Sequence, residues 1–338
     1  MATEPSHIAL RGHNTFLFLR NQETYPGTSE VYVDRVQSAE PTQTIRLDKS
    51  FELGRKGPTG ASEDVPDMRF VYEINWAKWE DGLYQAGKDP ASDTSFDMGD
   101  LLDNEDIDVF LCQADDDYDV EKEYVFEQSS IAEMTMTWRV GQPITTRYTR
   151  ECINGKVYRE GGLTHTTRGS LDDTSDGSIN PKDARVFFFS SGCTPADADR
   201  VYRLQGFDIT SRFPTQSVRE IGRRDKVGTL ADPPDVSCNI DVQPGDDQPL
   251  DRFYTDYGTY LDLNHPKLMD GLVRIYDPDD TEANTVLGAM HLENLKPSGS
   301  TPHRAQVRGL TTMRISLEVT KEETTDSGGL ICYVDDMP

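Results

Sequence analysis

The feature that most limits what this chain can fold into is a long internal repeat. Offset against itself by 168 positions, the window from Val33 to Asn75 lies on Val201 to Gln243 without a gap. Eleven positions are identical there: Val33/Val201, Arg35/Arg203, Gln37/Gln205, Thr42/Thr210, Glu52/Glu220, Gly54/Gly222, Arg55/Arg223, Gly60/Gly228, Asp64/Asp232, Pro66/Pro234 and Asp67/Asp235. Ordinary residue frequencies give about three in such a window. Flanking blocks follow in the same order at shifts of 170 upstream (Asn14 to Asn21 on Ala184 to Ser191), 164 downstream (Asp108 to Asp116 on Leu272 to Asp280) and 166 near the ends (Ile144 on Leu310). A period this long is a whole domain, not a solenoid unit. The expectation is a tandem duplication, with domains at 1–165 and 166–338. They are joined through the Gly/Ser/Thr/Asp-rich stretch at about 161–181, which has linker composition.

Each copy reads mainly as strands. Phe16 to Leu19 and Val186 to Phe189 are short runs of β-formers. "MRFVYEI" (68–74) and "VSCNIDV" (236–242) alternate with period two. "MTMTWRV" and "TTRYTREC" read as an antiparallel pair around Gly141, and "HRAQVRG" and "TTMRISLEV" as another around Gly309. Helical pattern is confined to Ser95–Asn104 and Pro249–Leu261. The fold class is therefore mainly β: two tandem β-sandwiches or open barrels of about eight strands, each with one short α-helix. The most similar stretches, "FELGRKGPTGASEDVPD" and "REIGRRDKVGTLADPPD", are charged, Gly/Pro-rich loops between strands. Loops this long without a core of their own usually carry function.

Composition restricts partners. Asp+Glu number 60 against 34 Lys+Arg, a net charge of −26, so the chain repels nucleic-acid phosphate. Arg far outnumbers Lys, and this pattern points to a protein kept soluble in concentrated salt, where screening shortens to about 3 Å at 1 M. The opening residues Met1–Pro5 lack a basic and apolar leader, and no apolar run is long enough to span a bilayer, so folding in the cytosol is expected. Five widely spaced cysteines without a C-x-x-C read as reduced, buried thiols.

Catalytic and metal signatures are missing from the sequence. The acidic run Asp115–Glu121 has Val120 and Phe126 where a calcium loop needs Gly and Glu. The six histidines have no ligand spacing, and neither a nucleophile elbow nor a phosphate loop is present. Trp76, Trp79 and Trp138 sit in or beside strands and suit core packing better than a stacking platform. No enzyme, cofactor or metal is expected.

The two loops with the strands that follow them resemble the major tail tube proteins of long-tailed, siphovirus-like viruses, in the duplicated-domain form. The resemblance covers most of both copies in element order. It implies a β-sandwich flanked by a helix, a ring of six domains made by three chains, and stacking of rings into a tube that conducts DNA without tight binding. It further implies a virion component assembled in the host cytoplasm, contacting itself and other tail proteins at the tube ends. The long loops would touch the neighbouring ring or subunit, which makes Arg55, Lys56, Asp64, Asp67, Arg223, Arg224, Asp232 and Asp235 the candidate contact residues. The salt-adapted composition adds a haloarchaeal tailed virus as the expected source. Two alternatives stand beside this: a two-domain adhesion or carbohydrate-binding module, and a tail-terminator or baseplate ring protein of the same fold.

The composition makes one direct prediction. The melting temperature rises steeply between dilute buffer and molar KCl; equal stability in both removes the salt-adapted reading.

Overall fold

The computed structural model describes residues 15–21, 30–33, 35–44, 47–50, 60–63, 67–76, 80–103, 107–115, 119–159, 162–165, 179, 181–196, 199–218, 220, 227–243, 253–256, 261–277, 285–298, 303–304, 312–320, 328–334 and 336–337. The first half contains β1 (Thr15–Asn21), β2 (Glu30–Tyr32), β3 (Val36–Thr44), β4 (Leu47–Ser50), β5 (Gly60–Glu63), β6 (Asp67–Asn75), α1 (Glu80–Gln85), β7 (Ser95–Asp97), α2 (Met98–Asp103), β8 (Ile107–Ala114), β9 (Val120–Arg139) and β10 (Thr145–Arg159). The second contains β11 (Ala184–Ser190), β12 (Leu204–Arg212), β13 (Thr215–Val218), β14 (Gly228–Ala231), β15 (Asp235–Val242), β16 (Tyr254–Asp256), β17 (Leu261–Pro266), β18 (Met269–Tyr276), β19 (Val286–Pro297), β20 (His303–Arg304), β21 (Thr312–Val319) and β22 (Leu330–Tyr333). The fold is mainly β, as expected.

Strand pairing follows the same path in both halves. The first runs β1-β8-β9-β10-β6-β3, and the second runs β11-β18-β19-β21-β15-β12, with every neighbouring pair antiparallel. Period-two patterning sets the faces: Phe70, Tyr72 and Ile74 of β6, and Val236, Cys238, Ile240 and Val242 of β15, turn inward. The offset of 168 holds through this central window, since Ala39 faces Tyr72 as Phe207 faces Ile240. In the flanking blocks pairing fixes slightly different offsets. Leu17 and Val186 occupy matching positions (each accepts a backbone bond from Val33 or Val201), Asp108 matches Asp270, and Thr146 matches Met313. Short apolar runs align almost equally well one or two residues apart, and only the ladder decides between them.

Backbone irregularities match too. Arg35 and Arg203 have φ of 57° and 59°, and Gln128 and Asn294 have 49° and 55°. Each arginine precedes a bulge, between Val36 and Ser38 in one half and between Leu204 and Gly206 in the other. Its carbonyl accepts from the backbone N–H of Asn75 or Gln243, at 3.2 and 3.1 Å, and from the side chain of Gln37 or Gln205. The Gln identity of the repeat thus supports a left-handed turn at the arginine two residues before it. The second irregularity is held by a buried carboxylate: Asp108 accepts from the N–H of Gln128 at 3.0 Å, and Asp270 from that of Asn294 at 2.9 Å.

The helices depart from expectation. In the stretch 95–104 the helix begins at Met98, because Asp97 and Asp100 cap each other's backbone N–H groups at 2.9 Å, and Ser95–Asp97 becomes a short strand against β22. The short α1 is an addition that too few periodic residues announced. In 249–261, Phe253 is helical but Tyr254–Asp256 is a strand paired with β17; 249–252 and 257–260 lie outside the described residues. One large buried cluster runs through both halves, from Phe70 and Tyr72 through Met136 and Phe207 to Ile240 and Ile315, with smaller clusters around Phe18 and Phe187.

The Asp270 clamp gives a pH prediction. Burial pushes its carboxyl up, but His291, the N–H groups of Asn294 and Gly192 and the Ser191 hydroxyl more than offset this and hold it below the ordinary aspartate value. A depressed folded pKa contributes stability above the unfolded value, and that contribution is lost as pH falls through the folded value. Asp270→Asn therefore lowers the unfolding free energy by about 1–3 kcal/mol at pH 7. Urea titrations show the gap narrowing below about pH 4; a gap independent of pH assigns no part of it to the charge.

Candidate assembly interface

The two halves meet by main-chain pairing. β12 of the second half lies antiparallel to the C-terminal part of β9 in the first, from Gly206 opposite Arg139 to Arg212 opposite Glu133. The strand β9 can serve this partner because it is 20 residues long. Its N-terminal part pairs with β8, its C-terminal part with β12, and β10 runs along both. The change of partner is marked by Gln128 at positive φ and by a register shift at Thr149/Arg150. Arg150 is fully buried at that corner, donating to Ser129 O at 3.0 Å, to Ser129 Oγ at 3.2 Å and to Gln85 of α1.

Across the joint the sheet has one apolar and one polar face. The inward row Leu317, Cys238, Ile209, Met136, Thr146 and Ile74 runs through six strands without interruption. On the other face a row of Ser316, Asn239, Asp208, Thr137, Thr145 and Asn75 crosses the same strands. Acidic residues on this face are tied to arginines: Arg139 to Asp208 and, at 3.9 Å, to Asp241; Arg314 to Asp208 at 3.8 Å; Arg212 to Glu133 at 3.3 Å; and Arg69 to Glu151 at 3.3 Å. The described face is therefore charge-mixed, not uniformly acidic as the composition suggests. Arg139 and Arg212 each span the joint. Gly206 makes room for Arg139, because a Cβ there would clash with the guanidinium.

The sheet ends at β3, whose outer edge has no strand partner among the described residues. Gln37, Ser38 and Glu40 to Thr44 are exposed, and Pro41 removes one donor from the strand. In the second half the place of the C-terminal part of β9 is taken by β20: its His303 and Arg304 pair with Met313 and Thr312, as Met136 and Thr137 of β9 pair with Thr146 and Thr145.

The candidate loops arise from two-stranded ribbons apart from the main sheet. β4 pairs with β5 and β13 with β14 in the same register, Ser50 opposite Gly60 and Val218 opposite Gly228. Arg55, Lys56, Asp64, Arg223 and Arg224 lie outside the described residues. Asp67 opens β6 opposite Thr44, Asp235 opens β15 opposite Arg212, and exposed Asp232 donates its N–H to Pro214 O at 2.8 Å. Near the second ribbon Val218, Val227 and Leu230 are all exposed apolar residues. Trp76 and Trp138 are buried, Trp138 against Phe207 with ring centroids 5.2 Å apart, so neither offers a platform to a sugar; Trp79 lies outside the described residues. In the acidic run, Asp119 and Asp115 close a turn on each other at 2.9 Å. The joint itself was not foreseen. Its only sequence signal was the strand pattern of "MTMTWRV", which carries no information about its second partner.

No protein-family model matches the chain, and no curated protein matches it in sequence. Solved structures similar to it include the baseplate of the anti-feeding prophage, at 8% identity and a TM-score of 0.31 over 47% of this chain and 98% of that one. The tube-terminating cap of the same particle is 13% identical, with a TM-score of 0.32 over 48% and 99%. An Hcp protein is 9% identical, with a TM-score of 0.25 over 43% and 98%. At these low TM-scores the functional reading rests on the chain's own residues.

The Gly206–Arg139 fit predicts coupling. Gly206→Ala displaces the flexible Arg139 guanidinium from Asp208 and costs about 0.5–1.5 kcal/mol of stability. In an Arg139→Ala background the same change costs under about 0.5 kcal/mol, measured as a double-mutant cycle in urea.

Proposed function

We propose that this chain is a virion structural protein that closes into three-chain rings and stacks them into a tail tube through which DNA passes. The observation that carries the reading is the joint between β12 and β9. It is heterologous: the β12 edge of one half meets the β9 edge of the other. Such contacts repeat until a ring closes. The exposed β3 edge corresponds to β12, and β20 corresponds to the part of β9 that receives it. A second joint of the same kind, from β3 of one chain to β20 of the next, leaves no open edge.

Within this reading the halves 1–165 and 166–338 are two copies of one tube domain. Each chain supplies β20, β21, β15, β12, β9, β10, β6 and β3 to a common wall. Three chains make roughly 24 strands, a barrel about 37 Å across before strand tilt widens it. The polar face, on which arginines are interspersed with carboxylates, lines the channel and presents phosphate with mixed charge. The ribbons carrying Arg55 and Arg223 reach the next ring, and exposed Val218, Val227 and Leu230 belong to that contact. The acidic surplus suits a tailed virus of a salt-loving host, and assembly takes place in that host's cytoplasm.

The offset places Glu40 of one chain opposite Arg304 of the next, as Asp208 lies opposite Thr137 within the chain. Facing residues of an antiparallel pair have Cα atoms about 4.5–5.5 Å apart, within disulfide range. Glu40→Cys with Arg304→Cys, in a chain where exposed Cys193 is replaced by serine, oxidises to a covalent trimer on a non-reducing gel. Absence of interchain crosslinking, with a monomer at high protein and salt concentration, rejects the ring. Arg55→Ala with Arg223→Ala leaves the trimer intact and shortens tubes in electron micrographs; wild-type rings that never stack point to a terminator instead.

A further inference from the structure

A buried cluster in the first half holds three metal-ligand side chains from three elements. Cys112 of β8 and Glu123 of β9 are direct register partners, so both project from the same side of the ladder. His165 arrives from the segment that follows β10. The Cys112 sulfur, a Glu123 oxygen and a His165 ring nitrogen all lie within 4.8 Å of one another, and all three residues are buried. Glu123 Oε2 accepts the backbone N–H groups of Thr164 and His165, at 2.7 and 3.1 Å. That fixes the segment and leaves Oε1, buried and without a hydrogen bond, facing His165 Nδ1 at 3.5 Å. The imidazole is clamped by aromatic rings, stacked on Phe18 at 4.3 Å and edge-on to Phe110 at 5.0 Å.

We infer that Cys112, Glu123 and His165 bind one divalent transition-metal ion of the zinc class. Zinc takes sulfur, nitrogen and oxygen ligands at about 2.0–2.3 Å, so its ligands stand about 3.3–3.8 Å apart. The His–Glu separation already has that value. Calcium and magnesium are disfavoured, since they require oxygen donors. On binding, the Cys112 thiol releases its proton to solvent. Thiolate and carboxylate then balance the 2+ charge, a neutral assembly in a site that could not hold an isolated ion. Water fills the fourth position. The ion would fasten the start of the connector between the halves to the β8–β9 ladder.

The repeat does not require this cluster. At the matching register in the second half stand Arg274 and Ala289, neither a ligand, and Arg274 instead reaches Asp336 at 2.7 Å. The inference is independent of the tube reading and predicts one ion per chain.

The test uses the full chain, stripped with chelator and titrated with zinc or cobalt. Expected are about one equivalent bound by elemental analysis, a zinc-dependent rise in melting temperature, and a sulfur-to-cobalt charge-transfer band. Cys112→Ser abolishes that band, and Glu123→Gln, which keeps an oxygen for the two amides, weakens binding at least about tenfold. A wild-type protein that binds no zinc and shows no melting shift overturns the site and leaves a buried His–Glu pair. A cobalt band unchanged in Cys112→Ser also overturns it. Should Cys112→Ser fail to fold, the wild-type cobalt spectrum decides alone.

Discussion

Main-chain pairing between β12 and β9 is the contact on which the rest of this structure depends. It turns two sheets of the same strand order into one continuous sheet, with the buried row from Leu317 to Ile74, apolar but for Thr146, beneath it. The pairing requires β9 to outrun its own half, and the length of that strand requires a corner. Gln128 and the Thr149/Arg150 register shift supply the bend, and buried Arg150 fills it while tying α1 to both strands. A buried guanidinium is costly unless its hydrogen bonds are made; here the offset is partial, since both terminal nitrogens donate while Nε has no hydrogen-bond partner among the described residues.

Charge is deployed unevenly around this frame. The chain as a whole is strongly acidic, yet on the polar face of the sheet arginines stand between carboxylates of neighbouring strands. Arg139 reaches Asp208 and Asp241, and Arg212 reaches Glu133. The planar guanidinium can bridge two strands at once, which a lysine ammonium does less well. Exposed pairs of this kind add little stability; their larger effect is on register, because a slip of one residue would carry every such side chain to the other face.

Much of the fold was legible in the sequence, for identifiable reasons. Period-two patterning fixed which residues of β6 and β15 turn inward, and the offset of 168 held wherever identities were dense. The meaning of those identities was not legible. Arg35 and Gln37 look like surface residues until the backbone reveals a left-handed turn and bulge that recur at Arg203 and Gln205. Short apolar blocks were displaced by a residue or two, since Phe and Leu runs align with themselves at several offsets. The joint and the Cys112–Glu123–His165 cluster were out of reach, because each assembles residues distant in the chain. Of the eight loop candidates, Asp67 and Asp235 open β6 and β15 and Asp232 lies just before β15, while the other five lie outside the described residues.

The β12–β9 joint also has a kinetic meaning. Strand edges that belong to one chain meet at an effective concentration set by the connector and not by how much protein a cell has made. In any closed array of alternating joints of this kind, half are formed when each chain folds. The proposed six-domain ring then needs two encounters between molecules where separate domains would need five, the last joint closing within the array in either case, so its nucleation depends far less steeply on subunit concentration. Fusing the two halves thereby favours closure at low abundance over open-ended aggregation of bare edges.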